Sequence, residues 1–202
     1  MCCRFFIDEE TINDIQRIVA KIDVNVNTKR TGDIYPSDTA TIIAKKNRNL
    51  YAEDMRWGFP SYYNSQLMIN ARAESALQKQ SFSESVLYRR CIVPAKKFYE
   101  WDASKTKVTF TYPESPSIYM AGFYHQFQGE QRFIVLTTAA NDSMKRIHDR
   151  MPLILRENQI EEWIFADHLV DKYLKLESPM LTKYQEYEQM SFLLDDYDLN
   201  RL

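Results

Sequence analysis

Glycine and proline are scarce in this chain of 202 residues. With 4 Gly and 7 Pro it cannot be collagenous, low-complexity or a repeat array. Cysteine is scarcer still, at 3. Two of these, Cys2 and Cys3, are adjacent, so no disulfide framework can form, and a reducing, cytoplasmic setting is expected. No Cys or His stands at ligand spacing from another, so neither a metal nor another cofactor is expected. No apolar run approaches the ~20 residues of a membrane span. Met1-Cys2-Cys3-Arg4 leads into Phe5-Phe6-Ile7-Asp8-Glu9 with no apolar segment of the secretory kind. Strong net charge is also lacking, since 26 Lys+Arg against 28 Asp+Glu leave −2. The charges are uneven, however. Residues 1–155 carry 21 basic against 17 acidic side chains, and residues 156–202 carry 5 against 11. A basic body with an acidic C-terminal segment leaves room for a local phosphate-binding surface.

Apolar residues make up 45% and aromatics 13%, with 13 Tyr and 11 Phe, enough to fill the core of one domain spanning 1–202. Residues 2–7 read as a short buried strand. Ile12, Ile15, Ile18, Val19 and Ile22 recur at helical spacing and predict an amphipathic helix over 10–22. The polar stretch 25–38 reads as loop. Thr39–Ala44 and Leu50–Arg56 pair across the basic turn 45–48, and an aromatic loop runs from Trp57 to Tyr63. Short helices are expected near 74–80, 82–90, 141–147 and 157–166. Strands are expected at 91–94, 98–101, 107–112, 117–127 and 132–139, with a last one near 190–194. Strands without βαβ alternation predict an α+β fold of mostly antiparallel sheet, as an open barrel-like core with a few flanking helices.

Cys2 is chemically unusual if Met1 is removed. It then offers an α-amine (pKa near ~8) and a thiol (near ~8.5) on adjacent carbons. Such a 1,2-aminothiol condenses with an aldehyde to an imine, which the thiol closes to a five-membered thiazolidine. Three further stretches carry polar residues that a β-rich core does not require: Asn70 with Arg72 and Glu74, Glu100, and His148. Each has an ordinary alternative. Asn70 can close a turn, Arg72 and Glu74 can form a local ion pair, Glu100 can be a strand-edge carboxylate, and His148 can be a cap.

Taken in order, these pieces resemble the SRAP (SOS response-associated peptidase) family, whose members shield abasic DNA by covalent attachment. The resemblance rests on Met1-Cys2 with Arg4-Phe5, Trp57-Gly58, Asn70-Ala71-Arg72-Ala73-Glu74, Phe98-Tyr99-Glu100-Trp101, Val135 to Ala140, and His148-Asp149-Arg150-Met151-Pro152. It covers the chain to about residue 165. Two departures stand out: Cys3 occupies a position where the family usually has glycine, and the loop after Phe59 is short.

The resemblance implies a thiazolidine crosslink between Cys2 and a ring-opened abasic aldehyde in single-stranded DNA. Asn70, Glu100 and His148 are its catalytic partners. Glu100 acts as acid and base beside the amine, His148 aids ring opening and closing, and Asn70 orients Cys2. It implies a DNA surface of Arg4, Trp57, Tyr62, Arg72, Glu74, Trp101, Thr137 and Arg150, aided by the basic turn 45–48. A monomer that removes its own Met1, or loses it to an aminopeptidase, is expected, and lyase activity is possible. The competing readings are a Cys–His peptidase acting in trans and a non-catalytic single-strand binding module.

Overall fold

The computed structural model describes residues 3–20, 31–61 and 66–185. Strand β1 (Phe5–Ile7) alternates buried and half-buried residues. It is followed by helix α1 (Glu9–Ala20), which starts where the Asp8 carboxylate accepts the Thr11 N–H at 2.9 Å, an N-cap interaction. Ile15 and Val19 on its inner stripe are fully buried, as the 3.6-residue period requires. After β2 (Gly32–Ile34), the hairpin β3 (Thr39–Lys46) and β4 (Asn49–Trp57) turns at Asn47. Asn47 takes φ 59°, a conformation asparagine tolerates well. A small hairpin, β5 (Phe59–Pro60) with β6 (Leu67–Met68), leads to β7 (Asn70–Arg72) and the short helices α2 (Ala73–Ala76) and α3 (Ser83–Tyr88). Then come β8 (Arg90–Ala95), β9 (Lys97–Trp101), β10 (Lys107–Thr111), β11 (Ile118–Phe127) and β12 (Glu130–Ala139). The described part closes with β13 (Arg150–Pro152), β14 (Ile154–Leu155), α4 (Ile160–Phe165), α5 (Val170–Leu174) and β15 (Thr182–Gln185).

Five of these strands close a barrel in the order β12–β4–β3–β8–β11 and back to β12. The neighbours pair antiparallel except β12 with β4, which run parallel in the register Phe133↔Trp57. That parallel pair closes a ring that the sequence pattern suggested would stay open. β7 also lies parallel to β12, farther along, with Leu136 opposite Ala71. A second sheet, β15–β10–β9–β1–β2, packs beside the barrel. One hydrophobic cluster spans both: the Phe5 ring of β1 lies 5.0 Å from Trp57 of β4, and Trp57 stacks on Phe133 of β12. On the other side of the barrel, the fully buried Arg90 donates to the carbonyls of Val86, Trp163 and Ile164. These bonds tie α3 and α4 to β8.

The mixed α+β architecture matches expectation, with local differences. β2 forms inside the segment read as loop, because β1 supplies its pairing partner. No helix forms over 141–147. There the Asn141 side chain accepts the Ser143 N–H at 3.1 Å and donates to the carbonyls of Ser178 and Pro179, so side-chain bonds compete with the helix and leave successive turns. The segment 157–166 begins as a 3₁₀ turn and becomes helical only from Ile160. The expected strand near 190–194 lies outside the described residues, and the strand found instead is β15.

Gly122 stands where two strands of the barrel wall approach closely. A Cβ there would stand 2.7 Å from the Ile134 carbonyl oxygen, a backbone atom that cannot move aside cheaply. Gly122→Ala should therefore lower unfolding stability by about 1–3 kcal/mol, read by denaturant melts. An unchanged midpoint would refute the close packing.

Candidate functional site

Two strand systems build the site. In the second sheet, β1 pairs with β9 in the register Phe5↔Phe98 and Phe6↔Lys97, and the Tyr99 N–H donates to the Arg4 carbonyl at 3.0 Å. Continuing that register sets Cys3 opposite Glu100. Strand alternation then divides the side chains. Phe5, Phe98 and Glu100 turn inward, and Phe6, Lys97, Tyr99 and Trp101 turn outward with Arg4.

Glu100 is only 3% exposed. Burial pushes its carboxyl above the usual carboxylate range, and the neighbouring His148 and the Trp101 N–H pull it partly back. Such a carboxyl exchanges protons closer to neutral pH than a surface glutamate does. Burial, and after it the Glu100 carboxylate, also raises the Cys3 thiol above its ordinary value. Cys3 is thus a neighbour of Glu100, a contact that the spacing of residues in the sequence does not reveal.

The second system is β7, β12 and β13. Pairing sets Asn70 opposite Val135 and Arg72 opposite Thr137, and β13 pairs on the same strand with Arg150 opposite Ala139. His148 closes the turns before β13. Its Nδ1 lies 2.9 Å from the Arg150 N–H and also 2.9 Å from the Asp149 carboxylate. One nitrogen cannot accept from the first and donate to the second. The backbone N–H is fixed at the start of β13, whereas Asp149 is 82% exposed, so whenever the ring is neutral Nδ1 accepts from Arg150 and Nε2 carries the proton. The effect of His148 on Glu100 joins the two strand systems.

Trp57 holds these systems together. It is fully buried, packs on Phe5 two residues from Cys3, and donates its indole N–H to the Ile69 carbonyl at 3.0 Å, fixing the backbone next to Asn70. Having no exposed surface, it cannot serve as a stacking platform for bases, and its part is that of a brace. Thr137 is also fully buried. Its hydroxyl donates to the Ala71 carbonyl, so it joins β12 to β7 and is withdrawn from a ligand.

Glu74 pairs with Arg150 rather than with Arg72. Arg150 grips both carboxylate oxygens at 2.7 and 2.8 Å and also donates to the Thr137 carbonyl at 2.6 Å. This bidentate clamp commits both charges within the protein and fixes the strand that bonds His148. Arg4 pairs with Asp33 and lies between the rings of Tyr35 and Tyr99, at 4.8 and 5.0 Å. Arg72, by contrast, is exposed and forms no ion pair among the described residues. Trp101 is half-exposed on the outer side of β9. In the basic turn, Lys45 pairs with Asp167 at 3.7 Å, and Lys46 lines an open cavity of about 600 Å³ that is separate from Cys3, Asn70, Glu100 and His148. Cys2 and Tyr62 lie outside the described residues. Cys91 is fully buried, with its thiol pushed up by burial. Among the described residues no group of three His, Cys, Asp or Glu is arranged to hold a metal ion, and no helix is long and apolar enough to cross a membrane.

Comparison with known proteins gives a consistent family. The family model described as SOS response associated peptidase (SRAP) matches residues 1–193. The abasic site processing protein YoaM of Bacillus subtilis is 33% identical over 157 residues, covering 71% of this chain and 69% of its own. YoqW of the same organism, also named an abasic site processing protein, is 32% identical over 178 residues, covering 81% and 80%. A crystal structure of a Bordetella bronchiseptica protein superposes with a TM-score of 0.75 at 21% identity, covering 92% of this chain and 100% of that one. It shares the fold.

The buried carboxyl gives a pH signature. With its folded-state pKa raised, Glu100 costs no stability where it is protonated in both states, below about pH 4. The cost grows as pH rises from the ordinary glutamate range through the raised value. Glu100→Gln copies the protonated form, so it should melt above the natural chain at pH 7–8 and converge with it below pH 4. Equal melting temperatures across that range would contradict the buried, raised carboxyl.

Proposed function

This chain belongs to the SOS response-associated peptidase family, with relatives named abasic site processing proteins, and on that premise we propose that it crosslinks to abasic sites in single-stranded DNA through Cys2. The observation that carries the reading is the β1–β9 pairing, which brings the segment entered by Cys3 against a buried carboxyl of raised pKa.

After Met1 leaves, the Cys2 α-amine adds to the C1′ aldehyde of the ring-opened sugar to give a carbinolamine. Loss of one water gives the imine. The Cys2 thiol then adds to the imine carbon, its proton passing to nitrogen, and a thiazolidine closes with one water lost overall. Glu100 takes a proton from the amine and returns one to the departing hydroxyl, the work a carboxyl poised toward neutrality does well. His148, with its proton on Nε2, serves the sugar oxygen during ring opening. Asn70 orients the nucleophile without titrating, and Arg72 takes the adjacent phosphate. Removal of Met1 by Cys2 itself, and strand cleavage from the imine, use the same groups.

The test mixes Met1-processed protein with a single-stranded oligonucleotide carrying one abasic site, followed by denaturing electrophoresis and intact mass. A heat-stable adduct of protein plus DNA less one water is expected, and none from Cys2→Ser. Glu100→Gln should slow adduct formation by about 10²–10⁴-fold. If no adduct forms although Cys2 is confirmed as the free terminus, the reading fails. Turnover of peptide esters would then favour a thiol peptidase, and retained binding alone a single-strand binding module.

A further inference from the structure

The proposed crosslinking chemistry makes no use of Cys3. It follows the reactive cysteine directly in the chain and is half-buried, at the position that the β1–β9 register sets opposite Glu100. The third cysteine, Cys91, is fully buried in β8 within the barrel wall. Thiol oxidation in this chain therefore falls to the adjacent pair Cys2 and Cys3. Neighbouring α-carbons stand about 3.8 Å apart, closer than those of an ordinary disulfide. An eight-membered ring closed between the two sulfurs is thus strained and easily reduced. In a reducing compartment such a bond is transient, of the kind that senses oxidants rather than holds a fold together. The fold leaves room for it to form. β1 begins at Phe5, and Arg4 is anchored by the Tyr99 N–H, so Cys3 precedes the ladder and the chain can turn there with its pairing intact.

We propose that Cys3 is the resolving thiol for Cys2: a hydroperoxide oxidises Cys2, and Cys3 then closes a reversible disulfide that locks the reactive terminus. The Cys2 thiolate attacks one peroxide oxygen and the O–O bond breaks. Cys2 becomes a sulfenic acid, and the other oxygen leaves, with a proton, as water or an alcohol. The Cys3 sulfur attacks the sulfenic sulfur, and the hydroxyl departs as water with the Cys3 proton. Two thiols have then given two electrons to one hydroperoxide, and a dithiol reductant restores both by exchange. The order of events follows from the surroundings of Cys3. Oxidation starts at a thiolate, whereas burial and the Glu100 carboxylate keep the proton on Cys3. While the disulfide stands, the Cys2 α-amine still forms an imine with an aldehyde, but no thiol is left to close the thiazolidine. The lock also spares Cys2 further oxidation to a sulfinic acid, which thiols do not reverse. The consequence for crosslinking rests on the proposed Cys2 reading, while the disulfide itself is read without DNA.

Met1-processed protein is treated with a slight excess of hydrogen peroxide, the remaining thiols are alkylated, and the tryptic peptide Cys2-Cys3-Arg4 is weighed. From the natural chain it should carry no alkyl group and be lighter by two hydrogens, and dithiothreitol should return both thiols. Cys3→Gly and Cys3→Ser have no resolving thiol. Their Cys2 should gain two oxygens instead, and dithiothreitol should not restore it. Offered a single-stranded abasic oligonucleotide, the oxidised natural chain should give no heat-stable adduct, although borohydride still captures its imine. Dithiothreitol should bring the adduct back, and the reduced Cys3→Gly chain should form it as the natural chain does. Oxygen gain at Cys2 as fast in the natural chain as in Cys3→Gly, or Cys2 joined to a second chain on a non-reducing gel, would overturn the resolving role. An undiminished heat-stable adduct from the disulfide form would overturn the lock. If the reduced natural chain forms no adduct, the crosslinking reading fails alone, since the peptide mass still decides whether Cys3 resolves Cys2.

Discussion

The pairing of β1 with β9 is the contact on which the site depends. A short run of backbone hydrogen bonding does several things at once. It brings the start of the chain into the sheet, sets Cys3 opposite Glu100, and sends the side chains of β9 alternately inward and outward. The inward series Phe98, Glu100 joins the core, while of the outward series Lys97 and Trp101 reach the surface and Tyr99 is covered by the cations around its ring. A slip of one residue would exchange the two faces, exposing Phe98 and Glu100 and burying two of the outer residues. The Phe5–Trp57 contact resists that slip, because it seats β1 on the barrel through rings that cannot be exchanged for Phe6 without leaving a void.

A buried glutamate is an expensive group for a fold to keep. Its desolvation disfavours the carboxylate, and the structure answers with partial compensation: the Trp101 N–H and the nearby imidazole stabilise the ionised form without restoring the ordinary pKa. The compensation is split between two sheets, since Trp101 follows Glu100 in β9 and His148 arrives from the turns before β13. Rigid placement of that imidazole therefore matters. It comes from Arg150, whose N–H holds Nδ1 and whose guanidinium is fixed by Glu74 and the Thr137 carbonyl. Charges that look available for a ligand in the sequence are thus spent on orientation, and Arg72 is left as the exposed cation of this segment.

Local patterns in the sequence show the elements whose pairing partners are near in the chain. The β3–β4 hairpin, with Asn at its turn, and the helix with Ile15 and Val19 inward are legible because period and turn chemistry are local. β2 is not, since Gly32-Asp33-Ile34 has no strand signal apart from the partner strand that forms it. The 141–147 segment misleads for the opposite reason: its helical spacing is real, but Asn141 finds partners at Ser178 and Pro179, distant in sequence. In the site, residue identities are legible as an ordered set, whereas burial is not. Trp57 and Thr137 look like contact residues until barrel closure removes them from the surface. The pairing of Glu74 with Arg150 rather than Arg72 likewise depends on β7 and β13 flanking the same strand, β12.

Cys3 shows how a departure from the family pattern can be absorbed. The resemblance leads one to expect glycine there, and glycine would leave space and admit water beside Glu100. The thiol fills part of that space, and with its pKa raised by burial and by the carboxylate it stays neutral at physiological pH. A neutral, weakly polar group next to Glu100 adds no competing charge and offers little hydration. Burial is the largest cause of both upward shifts, that of the Cys3 thiol and that of the Glu100 carboxyl. The side chain that departs from the pattern therefore places no competing charge beside a carboxyl that burial already holds above its ordinary range.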